Sequence, residues 1–251
     1  MRRGLIALML APALAFAAPG DAPDPLNSGR WPDIRKEFFA NAPVSFDPRV
    51  VVTAPATAED SMNVPVSVRV EGGLVARRIV VFAELNPIVR VLEVEPVKAA
   101  PYISFRMKLQ QGSPVRAAVL DPDGAWHLGG VFVEAAGGGC TTPGSGRAQP
   151  DWQAHLGEVD SHEWPRSDGQ SRLRLRISHP MDTGLAAGIP AFFLQKLSLT
   201  DDAGTEYLRL STFEPLSENP VLGFDLPTHT GRTLRLTGVD NNGNKIDRVL
   251  K

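Results

Sequence analysis

The sequence predicts an all-β protein, two immunoglobulin-like β-sandwich domains with one short N-terminal helix. Three observations carry that expectation. Apolar residues recur at every second position over many short segments, as in Val64, Val66, Val68 and Val70 and again in Leu173, Leu175 and Ile177; this period puts them on one face of a strand. The segments are punctuated by turn chemistry such as Glu71-Gly72-Gly73, Gln111-Gly112-Ser113 and Asp121-Pro122-Asp123-Gly124, at the spacing of a sandwich. Helical periodicity occurs in one place only, close to the N-terminus.

Taken in order, residues 1–17 read as a signal peptide. Arg2 and Arg3 precede an apolar run from Leu5 to Leu10, and Ala15-Phe16-Ala17 gives the small-x-small pattern of a cleavage site. The run is broken by Pro12 and is too short to span a bilayer. The mature chain is expected to start near Ala18 and to be exported to the periplasm. A helix is expected over 31–42: Pro32 suits a first-turn position, Asp33 complements the positive end of the helix dipole, and Trp31, Ile34 and Phe38 form one apolar stripe. Strands are expected at 50–52, 64–70, 79–83, 89–94, 103–109, 116–120 and 127–133, with Pro65 marking an edge or a strand start. These make a first domain over 31–136.

A Gly-rich tract, Gly137-Gly138-Gly139-Cys140-Thr141-Thr142-Pro143-Gly144, then breaks the alternation, and polar residues continue to about Arg166. The span 137–166 reads as an exposed arm and linker. Beyond it a second domain, 167–251, shows strand candidates at 173–177, 192–199, 207–213, 221–226 and 233–239. Its hairpin turns are Asp201-Asp202-Ala203-Gly204 and Asp240-Asn241-Asn242-Gly243.

Composition narrows the function. With 26 basic and 28 acidic side chains the net charge is −2, which argues against nucleic acid or an anionic membrane as a partner. A single cysteine in 251 residues excludes an intramolecular disulfide framework and any multi-cysteine metal or cluster site. His155, His162 and Glu163 match no compact zinc spacing, so no metal site is assigned. Asp240, Asn242 and Asn244 imitate the start of a calcium loop, but Lys245 and Lys251 stand where that loop needs Gly and Glu. His127 and His229 read as surface or structural residues. No nucleophile elbow, P-loop or dinucleotide fingerprint is present. Metabolic enzymes are therefore poorly supported, and no catalytic residue or cofactor is assigned.

Cys140 is the residue left to explain. It follows three glycines and precedes two threonines and a proline, unlike a cysteine inside a packed element. A mobile tract is expected to hold its sulfur in water, with a thiol pKa near the ordinary value of about 8.5. Such a thiol suits a handle for other enzymes better than a self-activated nucleophile.

The residues then resemble a known family. Asp47-Pro48-Arg49-Val50, Ala54-Pro55-Ala56-Thr57-Ala58-Glu59-Asp60 and Val64-Pro65-Val66, with a Gly-Gly-Cys further on, are similar to SoxY, the sulfur-carrying subunit of bacterial thiosulfate oxidation. His179-Pro180-Met181-Asp182-Thr183-Gly184, Ile189-Pro190-Ala191-Phe192-Phe193 and the turn at Asp240-Asn241 are similar to SoxZ. The order resembles fused SoxYZ-like carriers associated with quinoprotein dehydrogenases. The resemblance implies covalent attachment of intermediates to Cys140, an arm at Gly137, Gly138 and Gly139, and partners among periplasmic oxidoreductases of the Sox or quinoprotein type. It also leaves open a non-covalent accessory role in a quinoprotein (PQQ) dehydrogenase system. One departure stands out: the SoxY cysteine is C-terminal, whereas here the chain continues. An internal loop over 135–150 reaches about 25 Å at most, and both of its strands must enter any partner's site.

Overall fold

The computed structural model describes residues 23–144, 151–228 and 232–250. The expected signal peptide, His229 and Lys251 lie outside these residues. One helix, α1 (Trp31–Phe39), is followed by nine strands in the first half: β1 (Val44–Phe46), β2 (Val50–Thr53), β3 (Thr57–Ala58), β4 (Val64–Val70), β5 (Arg78–Ala83), β6 (Arg90–Glu95), β7 (Tyr102–Met107), β8 (Ser113–Leu120) and β9 (Trp126–Ala135). The second half holds β10 (Val159–Pro165), β11 (Gln170–Ile177), β12 (Leu194–Asp201), β13 (Glu206–Thr212), β14 (Val221–Pro227), β15 (Leu234–Asp240) and β16 (Lys245–Val249). Both are immunoglobulin-like β-sandwiches.

The two sandwiches are joined edge to edge. One sheet runs β1-β9-β8-β5-β6-β13-β12-β15-β16, with β3 also on β9; the other runs β10-β11-β14-β7-β4-β2. The first seam pairs Leu92–Glu95 of β6 with Arg209–Thr212 of β13; the second pairs Ile103 and Ser104 of β7 with Phe224 and Gly223 of β14. Between the sheets, one apolar core extends from Val64 and Ile103 to Leu199 and Phe224. Alternating side chains of both halves thus fill a single interior. The second seam is also pinned from outside. Buried Asp225 accepts hydrogen bonds from Arg172 Nε at 2.7 Å and Arg69 Nη2 at 3.4 Å, and both guanidinium groups stack on Tyr102.

Two strands depart from simple alternation because a second layer covers them. In β5, Ile79, Val81 and Ala83 face the inter-sheet core while Val80 and Phe82 face α1. Trp31, Ile34 and Phe39 of the helix seal that outer face together with Ala118 and Leu128. The helix ends at Phe39 rather than near Ala42, because Ala40 turns the chain at φ +47°. Phe39 is buried where Phe38 was expected; Phe38 lies half-covered, 5.1 Å from the Phe82 ring. Arg116, also on this face, is 1 % exposed and bonded to Glu84 and to Asp24 at 2.7 Å.

The expected linker over 137–166 is shorter than its composition suggests. Its last part is β10, an edge strand paired with β11 from Val159↔Ile177 to Pro165↔Ser171. With one edge free and one face in water, β10 carries polar residues on both faces, which hides it from an apolar-periodicity reading. β1, β3 and β16 escape notice for a similar reason, being short or peripheral. Pro65 sits inside β4, but β2 pairs only as far as Ser67, so that side of the strand is an edge at the proline. The Asp240 turn is a hairpin in which Asp240 Oδ1 accepts hydrogen bonds from the Asn242 and Asn244 amides, both at 2.9 Å.

Candidate functional site: a covered thiol at the junction of the two halves

Cys140 is not held out in water: it is 1 % exposed. The glycines before it serve close approach rather than mobility. Gly137 and Gly138 adopt φ of +102° and +81°, in the region where a Cβ is strained. Gly139 lies flat against two carbonyls; a Cβ there would meet Ser61 O and come within 2.6 Å of Leu109 O. The tract is bonded along the segment that follows β7. Gly138 N–H donates to Gln110 O at 3.0 Å, Gly139 N–H to Leu109 O at 3.1 Å, and Cys140 N–H to Gln110 Oε1 at 3.1 Å. Asn86 fixes that segment in turn, donating to Lys108 O and accepting from the Gln110 amide, both at 2.8 Å.

The sulfur itself lies 3.9 Å from the Lys108 carbonyl of the first half, and the second half is tied to this tract. Its His179–Gly184 stretch turns at Met181, where φ is +50°, and is anchored by the Asp182–Phe192 bridge. Thr183 Oγ1 donates to Cys140 O at 2.6 Å, and Lys108 Nζ donates to the Met181 carbonyl. Lys108 is 2 % exposed. Strand alternation would turn it outward beside Arg106, but β7 ends at Met107, and Lys108 and Leu109 are then both drawn inside.

These surroundings correct the expected thiol chemistry. Burial pushes the Cys140 pKa up to about 11, against the opposing pull of the Lys108 ammonium. Burial also lowers the Lys108 pKa, partly offset by Cys140 and Asp182. At neutral pH the thiol is protonated and covered, so it is a poor nucleophile in this arrangement. Reaction at the sulfur requires the arm to move.

Other residues singled out from the sequence lie elsewhere. His155 is exposed between Glu158 (2.9 Å) and Asp151 (3.3 Å), and the Glu158 carboxylate chiefly raises its pKa. His162 stacks on Trp164 at 4.1 Å in β10, whose Glu163 pairs in register with Leu173. His127 is held between Asp47 (2.9 Å) and Asp121 (3.0 Å). Asp47 also grips Arg49 through Nη2 at 2.7 Å, and that contact, foremost, holds its carboxyl well below the usual carboxylate range. Among the described residues no group of three or more His, Cys, Asp or Glu is placed to hold a metal ion. Lys108, Gln110 and Asn86 went unnoticed in the sequence. Met181 and Thr183 stood inside a recognised motif without a role. The one signal available was a lysine at the end of an apolar strand.

The family models settle which proteins share this arrangement. That of the sulfur oxidation protein SoxY matches residues 35–140, ending on the cysteine, and that of the sulphur oxidation protein SoxZ matches residues 161–251. The chain belongs to the SoxYZ family, with both parts fused. SoxYZ proteins are carriers rather than enzymes and work with Sox-type enzymes of sulfur oxidation. No curated protein matches the chain. Among solved structures, the sulfur carrier protein SoxY from Chlorobium limicola f thiosulfatophilum is similar at 22 % identity, covering 42 % of this chain and 90 % of its own, with a TM-score of 0.37. Two superoxide reductases (neelaredoxins) from Ignicoccus hospitalis are similar at 19 % and 20 % identity. Each covers 34 % of this chain, and 77 % and 78 % of its own respectively, with a TM-score of 0.30 in both cases. In SoxYZ terms, the buried thiol belongs to the SoxY part, and Thr183, which donates to the Cys140 carbonyl, belongs to the SoxZ part.

Proposed function

We propose that this SoxYZ protein is a periplasmic carrier that holds sulfur-containing intermediates covalently on Cys140 while partner oxidoreductases act on them. The observation that supports it most is the position of the chain's single cysteine. Cys140 follows a glycine turn at the end of the SoxY match and is bridged to the SoxZ half through Thr183. The covered state is then the resting state. Loading a group R–SH as a disulfide forms one S–S bond and breaks two S–H bonds. It releases two protons and two electrons, which a partner oxidoreductase of the Sox or quinoprotein type must accept.

Burial and protonation of the thiol favour a second reading, a non-covalent accessory protein of a quinoprotein dehydrogenase system whose arm carries nothing. Intact-mass measurement on protein isolated from the native periplasm separates the two. A carrier shows a reductant-sensitive adduct that is absent in Cys140→Ala. An unmodified wild-type mass in actively oxidising cells, together with unchanged growth of Cys140→Ala, overturns the carrier reading and leaves the accessory one.

A further inference from the structure

The outer face of the β10-β11-β14-β7 sheet bears a second feature, next to the arm but independent of the thiol. Arg174 and Arg176 point outward from β11 between the buried Leu173, Leu175 and Ile177, and Arg106 points outward from β7. The strand between them, β14, places Gly223 opposite Arg174 and Val221 opposite Arg176. No large side chain fills the gap. The result is a depression of about 560 Å³ whose wall includes the three arginines, Asn219 and Pro143 of the arm.

The arginines of this face divide into two sets. Arg69 and Arg172 are committed to Asp225. Arg106, Arg174 and Arg176 form no ion pair among the described residues, although Arg174 lies over the Trp164 ring at 5.6 Å. Two carboxylates also line the depression, Asp60 and Glu218, each bonded to a neighbour in the same wall. Asp60 accepts from the Met62 amide at 2.8 Å and from Asn63 Nδ2 at 2.7 Å, and Glu218 accepts from Asn219 Nδ2 at 3.4 Å. Three guanidinium groups against two carboxylates leave one formal positive charge in surplus, and guanidinium forks that no carboxylate pairs with. That chemistry suits a tetrahedral oxyanion, whose oxygens accept paired N–H bonds.

We propose that Arg106, Arg174 and Arg176 form a binding site for an oxyanion of the sulfate, sulfonate or phosphate type. The depression is several times larger than a bare oxyanion and so has room for a short stem behind the charge. Pro143 is three residues from Cys140, at most about 11 Å along the chain. The anion therefore has two possible sources, the free ion or the charged end of a group on Cys140. The second rests on the carrier reading; the first does not.

The test is titration of the full mature protein with sodium sulfate against sodium chloride at matched ionic strength, followed by calorimetry or by thermal shift. Saturable binding, weakened at least tenfold in Arg174→Gln/Arg176→Gln and again in Arg106→Gln, and retained in Cys140→Ser, is the expected result. Arg209→Gln, on the other sheet and paired with Glu206 and Glu95, leaves it unchanged. The source is assigned by converting Cys140 to its 2-sulfonatoethyl disulfide with a methanethiosulfonate, which releases methanesulfinate. Loss of sulfate binding in that adduct assigns the site to a carried anion, and undiminished binding assigns it to a free one. Sulfate binding that fails to saturate, or that is equal in wild type and the arginine variants, means an adventitious ion only and overturns the site. All three side chains are exposed, and unchanged circular dichroism verifies that each variant is folded.

Discussion

At the scale of single residues, the cysteine and the lysine beside it govern one another. Burial penalises the thiolate and the ammonium alike, while each charge favours the other. The sign of the pH dependence follows. The thiol pKa is raised by folding, so the stability it lends to the closed arm is full below its unfolded value and is lost as pH rises toward about 11. A shift of that size corresponds to about 3 kcal/mol. Alkylation of native protein should be slow at pH 7–8 relative to denatured protein and should accelerate between pH 9 and 11. Lys108→Met removes the cation that favours the thiolate, so the midpoint of this profile is expected to move upward by about one pH unit. A downward move would show that Lys108 acts only as a tie to Met181. Little of this was legible in the sequence, where Cys140 reads as an exposed thiol among glycines. The groups that hold its tract come from positions 61, 108–110 and 181–183, which only the fold brings together.

Among the elements, the strands were the most readable, because a period of two needs only a buried face and a wet one. β4 and β11 announce themselves in this way. β5 was legible as a strand, but the second partner of its outer face was not. β10 was lost because an edge strand need not alternate. The glycine tract was legible and its packing was not. Composition signals freedom, whereas Gly139 is required by the carbonyls packed against it. Gly139→Ala is therefore expected to dislodge the arm without unfolding the sheets. Cys140 alkylation at pH 7 should rise tenfold or more, with the global unfolding free energy lowered by only the ~1–3 kcal/mol typical of local overpacking. Equal alkylation rates in variant and wild type would refute the turn's role as a clasp.

For the whole molecule, the paired seams make the two halves one folding unit. The break in pattern at Gly137 was legible. The continuous core was not, because register between distant strands leaves no mark on either segment alone. Thermal unfolding is expected to give one transition, coincident by circular dichroism and calorimetry, with equal van't Hoff and calorimetric enthalpies. Two separated transitions would mean that the seams contribute little.

The seams also bear on how the protein is made. β6 and β7 are completed only by strands that lie more than a hundred residues later in the chain. Until β13 and β14 have been synthesised, the first half carries two open strand edges, which are templates for pairing with any other chain. Fusion places the matching edges on the same polypeptide, so each molecule brings its own protection against aggregation and needs no search for a separate subunit.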